Sequence, residues 1–196
     1  MLPGKFFLLK KILGLPKTKV LKRELLRRNS QSEIHELQML MTEKEDIKKH
    51  PKADLWIISA DSPDQLGVWI NEWCVKNKQA YINSGYVNDI AVFGPFYIPG
   101  QTGCYACSSS IGNLPAKSEH LIYDACVMIN NNFKVATFPP VNALSAAMCA
   151  NDAFKFLGGY GSLLSTDQSV GIWSSQLFIE ERSLKKNPHC KVCGTT

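Results

Sequence analysis

The most specific chemical signal in the sequence is a set of four cysteines arranged as two Cys-x-x-Cys pairs. Cys104 and Cys107 lie in GCYAC, and Cys190 and Cys193 lie in NPHCKVCG. Four thiolates fill the tetrahedral shell of Zn²⁺ and leave no position for water, so such a site is structural rather than catalytic. The pairs therefore predict a structural zinc site, with two redox motifs or two unrelated turns as the alternative.

The two pairs are far apart along the chain, which constrains the fold that carries them. In total, 82 residues separate Cys107 from Cys190, whereas zinc ribbons usually place about 15–20 residues between their pairs. Tertiary folding must bring the two turns together, and Gly103 and Gly194 are expected to permit the tight backbone there. Simpler roles suit the neighbouring histidine and the other cysteines: His189 facing solvent, Cys74 and Cys149 in the core, and Cys126 as an incidental thiol.

A second candidate for chemistry is Asp61, which follows the apolar run at residues 55–59. Ligands of open α/β sheets bind beyond the carboxyl ends of the strands, and carboxylate oxygens are ligands that Mg²⁺ prefers. A magnesium-binding role is therefore one interpretation of Asp61. The alternative is a helix cap, because a helix is expected to begin near Pro63 and Asp is a favourable capping residue.

The elements that would position these side chains alternate between strands and helices. Apolar runs predict strands at residues 33–41, 54–59, 80–84 and 90–98, and a strand or hairpin at 170–179. Apolar residues at helical spacing predict helices at residues 18–28, 62–76 and 141–157, and a weaker one at 119–131. Strand, helix and strand in this order indicate βαβ units and a mostly parallel sheet.

Length, composition and charge limit the class of protein. A chain of 196 residues suits one domain, and 45% hydrophobic residues argue against extensive disorder. No apolar stretch reaches the ~18 residues of a membrane span. The net charge of +5 is concentrated in residues 1–28, which hold nine Lys or Arg and one acidic residue, whereas nucleic-acid-binding domains spread such residues over a folded face. We therefore expect a cytoplasmic protein whose partners are neither nucleic acid nor membrane.

Four features together resemble the adenylating domain of the ThiF/MoeB and ubiquitin-activating-enzyme superfamily. They are Gly-x-Pro-Lys at residues 14–17 with its helix ending in Arg28-Asn29, the strand running into Ala60-Asp61, and the two cysteine turns separated by an Ala-rich helix. Within the superfamily the chain is most similar to the MccB-like branch, through KRELLRRNS (22–30), ADLWIISAD (53–61), AYINSGYVNDIAVFGPFYIPGQTGCYAC (80–107) and ATFPPVNALSAAMCANDAFKF (136–156). The resemblance covers about residues 14–194. It implies an α/β fold, the carboxyl-terminal part of a Rossmann-like, ThiF-type adenylating domain with a four-cysteine zinc site.

The resemblance also implies a division of the chain. Residues 1–13 form a basic amino-terminal segment, and residues 14–196 form a partial adenylating domain. The family's domain begins with a strand and a Gly-rich loop that cradles phosphate, and the MccB-like branch places a peptide-clamp domain before it. The sequence contains no Gly-x-Gly-x-x-Gly string. By this resemblance the chain is an amino-terminally truncated member, which we expect to be inactive alone.

The site residues implied by the resemblance lie in three groups. Lys17 matches the family's phosphate-contacting lysine, although composition alone would make it one of many basic residues on a solvated segment. Lys17 and Asp61 would then act in catalysis and bind ATP and Mg²⁺, beside the structural Zn²⁺. Residues resembling those that line the acceptor cleft are Asn83, Tyr86, Asn88 and Asp89, with turn chemistry as the alternative.

Three functions are compatible with these residues. The first is an ATP-dependent adenylyltransferase that joins AMP to the terminal Asn of a short ribosomal precursor peptide of the microcin C type, and the string YVNDIAVFGP favours it. The second is an adenylyltransferase for a ubiquitin-like or sulfur-carrier protein, and the third is a non-catalytic zinc-bearing half-domain that acts as an assembly partner. Expected protein partners are a second copy, as in superfamily homodimers, or a complementing amino-terminal chain.

Overall fold

A computed structural model describes residues 14–107 and 138–194. The expected helix at 119–131, Cys126 and the basic segment at 1–13 lie outside these described residues. None of the helices within the described ranges is long and apolar enough to cross a membrane.

The sheet has five strands in the order in which they occur along the chain. They are β1 (Trp56–Ile58), β2 (Tyr81–Val87), β3 (Ile90–Tyr97), β4 (Gln168–Trp173) and β5 (Phe178–Ser183). Strands β1 and β2 pair in parallel, and every later pair is antiparallel. The expectation of a mostly parallel sheet is therefore wrong. A helical crossover joins β1 to β2, whereas the two residues between β2 and β3 can only form a hairpin.

Three α-helices of the described ranges accompany the sheet: α1 (Lys17–Arg28), α2 (Leu66–Asn77) and α3 (Pro139–Gly158). Short 3-10 helices lie at Lys44–Lys49 and Tyr105–Cys107. Helix α2 crosses between β1 and β2 and packs on one face, where a core of Ile47, Leu66, Ile70, Tyr81 and Tyr97 also encloses the cysteine turns. Helix α3 packs on the other face, over Ile82, Phe93, Phe96 and Val170. The two halves of the core thus lie on opposite faces of the same sheet.

Helix α3 is fixed to the sheet by buried polar contacts as well as by its apolar residues. Asp152 is fully buried and accepts hydrogen bonds from the backbone of Leu164 and from the backbone and hydroxyl of Ser165, at 2.7–2.9 Å. Two turns earlier, the Ser145 hydroxyl donates to the Val92 carbonyl at 2.6 Å. These contacts hold the helix in register over β2 and β3.

The expected strand at residues 33–41 does not form. These residues have no helix or strand assignment, and Leu37 and Leu40 are exposed. A strand requires a neighbour to receive its backbone hydrogen bonds, and among the described residues β1 pairs only with β2. Ile57 on β1 is 57% exposed, so this edge of the sheet is open to solvent within the described chain.

Candidate functional site

The four cysteines predicted to bind zinc lie together in the structure. Their sulfur atoms are all within 4.8 Å of one another, with Cys104 Sγ 3.8 Å from Cys190 Sγ and Cys107 Sγ 3.3 Å from Cys193 Sγ. Tetrahedral zinc with bonds of ~2.3 Å would place each pair of sulfurs ~3.8 Å apart. The cluster therefore has the ligand set and the dimensions to hold a metal ion of this kind.

Local backbone geometry explains why each pair converges. The Cys107 N–H donates to the Cys104 carbonyl at 2.9 Å, and the Gly194 N–H donates to the Cys190 carbonyl at 2.9 Å. A Cβ atom on Gly103 would lie 1.8 Å from the Leu184 carbonyl oxygen, and one on Gly194 would lie 2.4 Å from that of Pro188. Both glycines are therefore required by close backbone approach, as the sequence predicts.

The electrostatics of the cluster differ from one sulfur to the next. Burial raises the pKa of the Cys104 thiol and that of the Cys193 thiol. Burial acts in the same direction on Cys190, but the backbone N–H groups of Cys193 and Val192 donate to its sulfur and lower its pKa to about 7. A divalent cation would supply the positive charge that stabilises the remaining thiolates.

Two buried polar residues touch this cluster and do not emerge from sequence reasoning. Asn71 on α2 is 1% exposed and directs its side-chain nitrogen to the Cys104 sulfur at 3.6 Å. Tyr81 on β2 is 1% exposed and donates its hydroxyl to the Asn71 side-chain oxygen at 2.7 Å. The sequence feature that could have indicated Asn71 is its amide on the otherwise apolar buried face of α2, between Ile70 and Cys74.

Asp61 and Asn83 lie at the same end of the sheet. Ile58 is opposite Asn83 in the parallel β1–β2 pair, so Asn83 is level with the last residue of β1, and Asp61 follows three residues later. The N-cap of α2 is Gln65, without a side-chain cap hydrogen bond. The capping alternative for Asp61 therefore fails, and its exposed carboxylate has no hydrogen-bond or ion-pair partner among the residues of the described ranges.

Asn83 occupies an irregular position in β2. The pairing between β2 and β3 shifts between Ile82 and Ser84, because Gly94 and Pro95 form a bulge on the opposite strand. Gly94 has a φ of +82°, and a Cβ there would lie 2.6 Å from the Ser165 Cβ. Bulges of this kind redirect side chains near functional sites. The Asn83 side-chain nitrogen is buried and has no hydrogen-bond partner within the described part of the chain.

The other three predicted acceptor residues lie further along the β2–β3 hairpin. Tyr86 is half-buried on β2, opposite Ala91. Asn88 and Asp89 form the two-residue turn, Asn88 with a φ of +54°. At ~3.3 Å per residue, the turn is about 17 Å from Asn83. Asn favours this left-handed conformation, so turn geometry explains Asn88 without a contact to substrate.

Lys17 lies on a different element from these residues, the helix α1. It is exposed at the first position of α1, a helix in which only Val20 is buried. A cleft of about 480 Å³ lies beside it, lined by Pro16, Lys17, Thr18, Gln38, Met39 and Leu40. None of the other predicted site residues lines this cleft. His189 is exposed, and Cys74 and Cys149 are buried in helices outside the set of four sulfurs, as expected.

Comparison with solved structures shows close relatives. The chain is 45% identical to E. coli MccB with MccA-N7isoASN, over 95% of this chain and 54% of that one, with a TM-score of 0.87. It is 44% identical to E. coli MccB with ATP, over 97% of this chain and 54% of that one, with a TM-score of 0.86. The microcin C7 biosynthetic enzyme MccB with N-formylated MccA is 44% identical, over 97% of this chain and 55% of that one, with a TM-score of 0.88. The chain therefore spans about half the length of these relatives.

A more distant neighbour shares the fold alone. A heterocyclase bound to substrate and cofactor is 19% identical over 74% of the chain, with a TM-score of 0.55. The sequence itself matches the ThiF family over residues 5–192, which include both cysteine turns except the end of the second. With this match and the MccB structures at about 45% identity, the chain belongs to the ThiF family.

Proposed function

We propose that this chain is part of an ATP-dependent peptide adenylyltransferase that joins AMP to the terminal Asn of a short ribosomal precursor peptide. The observation that carries the proposal is the 45% identity to E. coli MccB with MccA-N7isoASN, which extends over 95% of the chain. In the proposed reaction an oxygen or nitrogen of the peptide terminus attacks the α-phosphorus of ATP. The new bond to phosphorus forms as the α–β phosphoanhydride bond breaks, and pyrophosphate leaves.

Asp61 and Lys17 have separate parts in this proposal. The Asp61 carboxylate is exposed at the carboxyl end of β1, where it would be a ligand of the Mg²⁺ that neutralises phosphate charge. Lys17 would contact the phosphates as a cation. For this contact, a further polypeptide segment must bring the cleft beside α1 close to the end of the sheet that carries Asp61. The cysteine cluster would hold structural Zn²⁺, with no open position for substrate. ATP chemistry and cysteines without disulfide bonds in the described ranges both suit a reducing, cytoplasmic setting.

Asn83 supports the acceptor side of the proposal, because a buried amide nitrogen without a partner is costly unless a ligand supplies an acceptor. Replacing Asn83 with Ala should weaken binding of a heptapeptide with a terminal Asn by about tenfold, the effect of one lost hydrogen bond. Isothermal titration calorimetry measures this. Asn77→Ala is the matched control, since Asn77 is the last residue of α2 and already donates to the Trp73 carbonyl. Equal affinity of the Asn83 variant and the wild type would remove Asn83 from the acceptor cleft.

The competing functions differ in the molecule that becomes adenylated. The chain is first supplemented with a polypeptide that carries the Gly-rich phosphate loop and the first strands of a ThiF domain. Incubation of this assembly with ATP and either the peptide or a ubiquitin-like carrier ending in Gly-Gly, followed by mass spectrometry, then separates the first two functions. A mass increase of one AMP on the peptide supports our proposal, and the same increase on the carrier alone contradicts it. A mass increase on neither molecule would favour the third function, a zinc-bearing assembly partner.

We also propose that the chain associates with a second copy through α3. Along its outer face run Ala143, Ala147 and Phe154, all exposed, with Phe154 at 68%. Small side chains allow two helices to approach closely, and a two-fold axis would set this stripe against itself. The charged residues of the helix are Asp152, which is buried, and Lys155, which binds the Ser162 carbonyl. The stripe thus carries no charge that would oppose self-association.

Light scattering after size-exclusion chromatography tests this association. We expect a mass of twice 21.9 kDa at micromolar concentration. Ala147→Glu should return the mass to that of one chain, because it buries an unpaired carboxylate at the contact. Ala53→Glu, at an exposed alanine beyond the sheet's edge, is the matched control and should leave the mass unchanged. A wild-type mass near 21.9 kDa would exclude the homodimer and leave a complementing chain at the open edge of β1 as the proposed partner.

A further inference from the structure

The hydrogen bonds around Asn71 form a closed set that fixes the orientation of its amide. The Asn71 oxygen accepts from the Tyr81 hydroxyl at 2.7 Å and from the Tyr105 backbone N–H at 3.2 Å. The same Tyr105 N–H also lies 2.9 Å from the Tyr81 hydroxyl oxygen. Two donors therefore converge on the Asn71 oxygen, and a flipped amide would face both with its NH₂ group. The NH₂ group must point the other way, to the Cys104 sulfur at 3.6 Å.

Cys104 lies at the enclosed side of the cluster, where such a donor has a large effect. Its side chain is fully buried, whereas Cys107 is half-buried. Four thiolates on one divalent cation leave a net charge of about −2 in a region enclosed by Tyr81 and Tyr97. An N–H donor to a buried thiolate disperses part of this charge, as the outer-shell partners of metal ligands do elsewhere.

From this geometry we propose that Asn71 is a positioning residue of the cysteine cluster. Its side-chain NH₂ group donates a hydrogen bond to the Cys104 thiolate and holds that sulfur towards the metal. Tyr81 sets the orientation of the Asn71 amide. This inference rests on the proposed zinc site. The metal content of the wild type and the properties of the variants are measured separately, so the two ideas fail separately. Wild-type protein that contains no metal would contradict the zinc site. Asn71 variants that bind metal with the affinity and spectrum of the wild type would contradict the role of Asn71.

The sharpest variant is Asn71→Asp, because it keeps an acceptor for Tyr81 and Tyr105 but has no proton for sulfur. Competition with a chromophoric chelator should show zinc affinity lowered by about 10–100-fold, the usual cost of losing an outer-shell partner. In the Co²⁺-substituted protein, the sulfur-to-cobalt charge-transfer band should move to longer wavelength, because a thiolate that has lost a hydrogen bond gives up its electron more readily. A purely structural defect would not move this band in the folded fraction.

Two tyrosine variants complete the test. Tyr81→Phe should lower zinc affinity less than Asn71→Asp does, and in an Asn71→Leu background it should have no further effect, since it acts through the Asn71 amide. Tyr97→Phe is the matched control, because its ring stacks on Tyr81 at 5.2 Å and lies outside these hydrogen bonds. Additive losses from Tyr81 and Asn71, or an unmoved band together with wild-type affinity in Asn71→Asp, would overturn the proposal.

Discussion

Purified protein should contain one zinc ion per chain, and removal of that ion should lower the free energy of unfolding by about 4–5 kcal/mol. The metal would join residues 86 positions apart, Cys104 to Cys190, and a cross-link that closes a loop of this length removes about that much conformational free energy from the unfolded chain. Metal analysis gives the stoichiometry. Urea denaturation with and without a chelator gives the stability difference.

Single substitutions distinguish the cluster from the other buried cysteines. Cys104→Ser should abolish stoichiometric zinc, because three thiolates and a weak hydroxyl no longer complete the shell. Cys149→Ala is the matched control: Cys149 is 2% exposed in α3 and packs against the other core. It should cost stability through a small cavity but leave the zinc content at one per chain. Zinc bound equally by the Cys104 variant and wild type would contradict the site.

Sequence patterns predicted the parts of this site that depend on local geometry. A Cys-x-x-Cys turn requires only four residues and a neighbouring glycine, so both turns and the need for Gly103 and Gly194 were correct. Three of the four predicted helices and four of the five predicted strands were placed within a few residues for the same reason, and the fourth helix lies outside the described residues. Asn71 could not be found this way, because its function depends on Tyr81 and Cys104, which lie 10 and 33 residues away.

Two errors of prediction have a common physical origin in strand pairing. The apolar pattern of residues 33–41 and that of the sheet strands look alike, because periodicity reports burial and not the identity of a neighbour. Direction is equally hidden: a mostly parallel sheet was expected, yet Asn88 and Asp89 turn the chain back in two residues. A connection of two residues allows only antiparallel pairing, and counting those residues would have corrected the prediction for β2 and β3.

The purified 196-residue chain should not release pyrophosphate from ATP with the peptide, whereas addition of a polypeptide with a Gly-rich phosphate loop and the first strands of a ThiF domain should restore turnover. Asp61 and Lys17 offer one carboxylate and one cation, and each missing donor to a phosphate oxygen costs about 10²–10³ in rate. A coupled pyrophosphate assay and mass spectrometry of the AMP–peptide product measure both steps. Turnover by the chain alone at an ordinary enzyme rate would contradict this.

In the restored assembly, Asp61→Asn should lower the rate by about 10²–10³, because the metal ion that neutralises the phosphates loses its charged ligand. Asp64→Asn, an exposed carboxylate three residues later in the same loop, should have little effect. Lys17→Ala should lower the rate and Lys19→Ala should not, since both are exposed on the first turn of α1 and only Lys17 lines the cleft. Equal losses within either pair would mean that general surface charge, and not a specific contact, explains the effect. Equal losses in the aspartate pair would exclude metal coordination by Asp61, and equal losses in the lysine pair would exclude phosphate binding by Lys17.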